Sequence, residues 1–171
     1  MTTENTARSI FVTGLKNAHA MENQALSIMK PQVSRIENYP DVAAKLDQHI
    51  RETENQIVRI DGLLSDFAED RSTLKDMALS FTGAMAAMGH TVAGDEILKN
   101  SFANFAFEHF EIAAYKSLLT VAEQGGFSAS TAALKANLDE ELAMAGWLEQ
   151  HLSDVTLRFL SLKAAGETAK I

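Results

Sequence analysis

Phe11, Leu15, Ala18, Glu22, Ala25 and Met29 recur at alternating intervals of four and three residues, the stripe of a helix that buries one face in a bundle. The same signature returns three more times. A second segment carries Ala43, Leu46, Ile50, Thr53, Ile57, Ile60 and Leu64. A third carries Phe105, Glu108, Glu111, Tyr115, Leu118 and Ala122, and a fourth runs through Leu134, Leu138, Glu141, Ala145, Leu148, Leu152, Val155 and Phe159. No run alternates apolar and polar residues as a strand does, and the abundant Ala, Leu and Glu favour helix. Four long amphipathic helices with short connections, apart from the one between the second and third, make an all-α four-helix bundle.

The breakers set the limits. Segment A covers about 6–37, with Pro31 expected to kink or end it. Pro40 suits the first turn of segment B, about 40–67, where a missing N–H costs nothing. A linker around "EDRST" leads to an additional short helix at about 73–88, and "GHTVAGDE" breaks the chain again. Segment C spans about 95–124 and stops at Gly125 and Gly126; segment D spans about 128–163. The final "GETAKI" is expected to fray. A connection this long between B and C can cross the bundle, so simple up-down-up-down topology is not required. A chain of 171 residues reads as a single domain over 1–171 with a real core.

Several functions are disfavoured. A net charge of −8 with no basic face argues against nucleic acid as a partner. No apolar run approaches the ~20 residues that span a bilayer, so no membrane is expected. The polar start "MTTENTARSIF" lacks a secretory apolar core, and the localisation expected is cytoplasmic. Without cysteine, a metal site must be built from carboxylate, imidazole or amide groups.

Glutamates interrupt the stripes. Glu22 stands in A, Glu108 and Glu111 in C and Glu141 in D; on B the stripe residue is Thr53, flanked by Glu52, as Glu140 flanks Glu141 on D. An unpaired buried carboxylate costs several kcal/mol, so such a group takes a proton or finds a cation. Glu22 to Glu52 is 30 positions and Glu111 to Glu141 is again 30, so the A–B and C–D hairpins look like two copies of one unit. Packed about a pseudo-twofold axis, they would gather their carboxylates at the centre. Such a cluster suits two hard or borderline divalent cations such as Fe or Mn.

Four stretches, "AMENQAL", "HIRETENQIVRID", "FEHFEIAAYKSLLTVAEQGG" and "LDEELA", resemble the bacterial stress-associated YciE/YciF family of ferritin-like proteins, in the same order and across most of the chain. The resemblance implies a ferritin-like bundle, a homodimer and a di-metal centre. Carried onto this sequence, it implies Glu22, Glu52, Glu108, Glu111 and Glu140 or Glu141 as ligands. The stripe and the 30-residue interval favour Glu141, whereas comparing "HIRET" with "NLDEE" favours Glu140.

The chain departs from the wider ferritin-like pattern, because no Glu-x-x-His occurs. Asn55, Ala143 and Met144 stand where the histidines would be. The reversed order does occur, as His19-x-x-Glu22 and His49-x-x-Glu52. These two histidines read more readily as core or boundary residues than as ligands. A carboxylate-rich site with few imidazoles is relatively friendlier to Mn than to Fe(II). Tyr115, one turn after Glu111, reads first as an ordinary core tyrosine and second as a hydrogen-bond donor to the site or a redox-active phenol.

The functional expectation is a ferritin-like di-metal protein that oxidises Fe(II) or disposes of peroxide in stress defence. The alternative is a catalytically silent dimeric helical bundle with a degenerate metal site, in which Arg51 turns the cluster into a salt-bridge network.

Overall fold

A computed structural model of the chain describes residues 3–68 and 94–171. Four long helices make up nearly all of it: α1 (Thr3–Val33), α2 (Pro40–Asp66), α3 (Glu96–Gly125) and α4 (Thr131–Ala164), with a 3-10 turn at Ser128–Ser130 before α4. No strand occurs among the described residues. The additional short helix expected at 73–88 lies outside them.

Local signals explain the helix ends. Pro31 sits in the last turn of α1, and its carbonyl accepts from Ser34 Oγ (3.0 Å) and Arg35 Nη1 (2.7 Å) as the helix closes. Pro40 occupies the first position of α2. Gly126, at φ +75°, takes the left-handed position that ends α3, and its N–H returns to Glu123 O.

The helices form a square in which α1 packs on α2 and α3, and α4 on α3 and α2. At one end Phe11 of α1 stacks on Phe127 with centroids 4.9 Å apart, and Phe67 closes the trio edge-on. At the opposite end the α1–α2 loop meets the start of α3 through the C-terminal tail. Helix α2 therefore finishes at the end where α3 also finishes, so these diagonal helices run parallel. The chain thus leaves α2 at one end of the bundle and enters α3 at the other.

The tail is not frayed, contrary to the sequence expectation. Ala169 and Ile171 are both buried. Tyr39 Oη donates to Ala169 O (2.7 Å), Asn38 Nδ2 to Thr168 O (2.8 Å), and Ile97 N to Lys170 O (2.9 Å). That last bond satisfies one of the N–H groups that a helix start leaves open. Glu96 is buried beneath the tail, with Arg35 Nη2 at 2.6 Å and Lys170 Nζ at 3.2 Å. Burial pushes its pKa up, but the two cations outweigh this and hold it below the usual carboxylate range. Arg35→Met is expected to cost ~2 kcal/mol in urea unfolding, because Glu96 keeps only one cation. An unchanged midpoint would show that Lys170 suffices.

Candidate metal centre

Midway along the bundle each helix turns polar side chains inward. Glu22 of α1, His49, Thr53 and Gln56 of α2, Glu108, Glu111 and Tyr115 of α3, and Asn137 and Glu141 of α4 are all buried. On α2 the interior face follows His49, Thr53, Gln56 and Ile60, so Gln56 replaces the expected Ile57. On α3 Asn104 takes the inward position, and Phe105 packs at the core's edge against His109.

His49, Glu108, Glu111 and Glu141 come together at the centre. One donor atom from each lies within 4.8 Å of all the others. His49 Nε2 is 3.2 Å from Glu108 Oε2 and 3.4 Å from Glu141 Oε2. Its Nδ1 faces outward to Glu52 Oε2 at 3.0 Å. Glu22 adjoins this group, held through Oε1 by the hydroxyl of Tyr115.

The sequence candidates therefore divide. Glu22, Glu108, Glu111 and Glu141 point inward together with His49. Glu52 stands behind His49, a quarter exposed, and also accepts from Gln48 Nε2 at 2.7 Å. Glu140 is turned away, clasped by Arg59 through two bonds of 2.8 Å. His19 lies between α1 and α2, 3.4 Å from Asp61. Arg51 does not enter the site: it is exposed and pairs with Asp47 one turn before it. The residues that pattern alone missed are Gln56, Arg59 and Asn137, whose partners stand 22 to 85 positions away.

Electrostatics set the unliganded state. Burial, then the neighbouring carboxylates Glu22, Glu141 and Glu108, push Glu111 well above the ordinary range. Burial raises Glu22 too, with Glu141 adding and the Tyr115 hydroxyl opposing. Glu108 is pushed up to about 8 by burial, against the pull of His49. Burial alone would lower His49, but Glu108, Glu141 and Glu52 together raise it. Its contact with His49 holds Glu52 low.

Unpartnered atoms test the fit to a cation. Glu22 Oε2 and both oxygens of Glu111 are buried without a hydrogen-bond partner among the described residues, and Glu108 Oε2 and Glu141 Oε2 have only the ion-pair approach of His49 Nε2. Once protonated, Glu111 can share its hydrogen with Glu141, but as a carboxylate it has no donor. Oxygen donors of this number beside one imidazole form a buried cluster that could hold a metal ion.

The chain matches the family model described as domain of unknown function (DUF892) over residues 6–161. It is 27% identical over 167 residues to protein YciF of Escherichia coli strain K12, covering 93% of this chain and 95% of that one. Its fold is similar to the crystal structure of a protein from Xanthomonas campestris pv. campestris: TM-score 0.77, 28% identity, 92% of this chain and 99% of that one. It is also similar to the crystal structure of the E. coli stress protein YciF: TM-score 0.69, 22% identity, 90% of this chain and 97% of that one.

Proposed function

The chain belongs to the DUF892 family, of YciF-like proteins, and from that membership we propose that it is a ferritin-like protein binding a pair of Fe or Mn ions at its buried carboxylate cluster. The observation that carries this reading is Glu111, a fully buried carboxyl with neither oxygen partnered. His49, Glu108, Glu111 and Glu141 are the proposed ligands, with Glu22 completing the set. The metal pair would supply redox and Lewis-acid chemistry for oxidising Fe(II) or consuming peroxide in a stress response.

The chain's own residues supply the rest. Glu52 holds Nδ1 of His49, so that Nε2 faces the carboxylates in a carboxylate–imidazole relay. Met21, Leu46, Tyr115 and Met144, each within four positions of a proposed ligand on its own helix, are fully buried and keep bulk water out. We place the function in a single domain over 1–171, in the cytoplasm and in a homodimer. Exposed Ile10, Phe102 and Phe110 on α1 and α3 support the dimer.

A metal-free bundle is the second reading, and His49 is the observation favouring it. It stands at ion-pair distance from Glu52, Glu108 and Glu141, and so partly neutralises the cluster by itself. One experiment separates the readings. Protein purified without chelator is analysed for metal, then titrated anaerobically with Mn(II) or Fe(II) and exposed to air. The proposal expects two ions per chain and Fe(II) oxidation above the buffer blank. Far less than one equivalent of any transition metal, with no oxidation, would leave the silent bundle standing.

A further inference from the structure

We infer that Arg59 is a positioning residue that fixes how Glu22 and Glu141 present their oxygens to the metal pair; the inference rests on the metal-binding reading above. Arg59 touches neither glutamate. Its guanidinium donates through Nη1 and Nη2 to the two oxygens of Glu140, each at 2.8 Å, and through Nη1 to Asn137 Oδ1 at 2.8 Å. Two hydrogen-bond chains leave from these contacts: the arginine sets the direction of the first and fixes the position of the acceptor that starts the second.

Arginine has donors and no acceptor. The Asn137 carbonyl must therefore face Arg59, which turns its amide nitrogen toward Tyr115 Oη at 2.9 Å. With its oxygen accepting from Asn137, the Tyr115 hydroxyl has one hydrogen left, and it donates that hydrogen to Glu22 Oε1. The second chain runs through Glu140. Held by Arg59, Glu140 Oε2 accepts from Gln56 Nε2 at 3.0 Å, and the same amide nitrogen donates to Glu141 Oε1. Both chains end on one oxygen of a buried glutamate.

What remains free follows from this capping. Glu22 and Glu141 each have Oε1 occupied by a donor; Oε2 of Glu22 is unpartnered and Oε2 of Glu141 faces only His49 Nε2 at 3.4 Å, whereas Glu111 has both oxygens unpartnered. The network leaves Glu22 and Glu141 one oxygen each for a metal ion, and leaves Glu111 as the group able to offer two. A lysine at 59 keeps the charge opposite Glu140 but lacks the planar fork that engages two residues at once.

The test uses the full-length protein and cobalt(II) or manganese(II) alone as the probe. Relative to wild type, Arg59→Met is expected to weaken metal binding ~10- to 100-fold, the usual effect of losing a group that orients a ligand. Its cobalt(II) visible spectrum is expected to shift, while far-ultraviolet dichroism stays that of the wild type. Arg59→Lys is expected to recover part of the affinity without the wild-type spectrum. Tyr115→Phe, which uncaps Glu22 alone, is expected to give a smaller spectral change. Unchanged affinity and spectrum in Arg59→Met, beside a wild type that binds, would overturn the positioning role and leave the metal site intact. If Arg59→Met does not fold, Arg59→Lys with a wild-type spectrum overturns it equally. A wild type that binds neither ion overturns both readings together.

Discussion

Replacing Glu111 with leucine is expected to abolish binding of divalent metal and, in the metal-free protein, to raise the unfolding free energy by ~1–4 kcal/mol. The two halves share one cause. Glu111 is buried with both oxygens unpartnered, so the metal-free fold must keep it protonated against three nearby carboxyl groups. Leucine fills most of the space with apolar atoms, suits the helix and removes the polar group that burial penalises. Alanine is expected to abolish binding as well, but it opens a cavity that offsets part of the gain. Metal titration and urea unfolding of chelator-treated protein read the two effects separately. A leucine variant that still takes up stoichiometric metal would remove Glu111 from the ligand set. One destabilised by more than ~1 kcal/mol would show that Glu111 is better satisfied than its geometry indicates.

The second large effect is on pH dependence, and its direction is unusual. Glu22, Glu108 and Glu111 all have folded-state pKa values raised above 4.5, Glu108 to about 8. The unfolded chain releases these protons near pH 4.5, while the folded chain holds them. Over the interval between, the folded state binds more protons, so its stability falls as pH rises, by up to about 1.4 kcal/mol per unit for each group. His49 adds in the same sense: raised above 6.5, it contributes stability at low pH that is lost as pH climbs through its folded value. Glu52 and Glu96, held low, act oppositely, and their contribution is lost only as pH falls below about 4.5. Metal-free protein is therefore expected to lose several kcal/mol between pH 5 and pH 8. Metal reverses the trend, because ligation needs the carboxylates ionised and expels their protons. Unfolding midpoints at pH 5 and pH 8, with chelator and with Mn(II), measure both curves. Metal-free stability that rises toward pH 8 would contradict the buried, protonated cluster.

Legibility in the sequence depended on whether the information was local. The apolar stripes announced four helices, and the glutamates standing in them, Glu22, Glu108, Glu111 and Glu141, are buried as their positions required. On α2 the reading was less sharp. His49 and Glu52 lie three residues apart on neighbouring parts of one face, and pattern alone did not say which goes inside. The spacing His49, Thr53, Gln56, Ile60 held the signal, but a histidine and a glutamine carry little weight in a search for apolar periodicity. Glu140 and Glu141 differ by about 100° around the helix, and the deciding partner of Glu140 is Arg59, 81 positions away. The tail read as frayed because its few apolar residues have no period. It docks because the α1–α2 loop, through Asn38 and Tyr39, and the start of α3, through Ile97 and the buried Glu96, present donors and an acid that it satisfies.

By itself, then, the sequence determined the helices, their interior stripes and the presence of acid among them. Periodicity and breaker residues act over one or two turns and need no partner. Only the tertiary structure decided that His49 rather than Glu52 faces the centre, that Arg59 withdraws Glu140 and leaves Glu141, and that single oxygens of Glu22 and Glu141 are capped. Each of these turns on a hydrogen bond or charge contact within or between helices, which exists once packing has brought the donors and acceptors face to face.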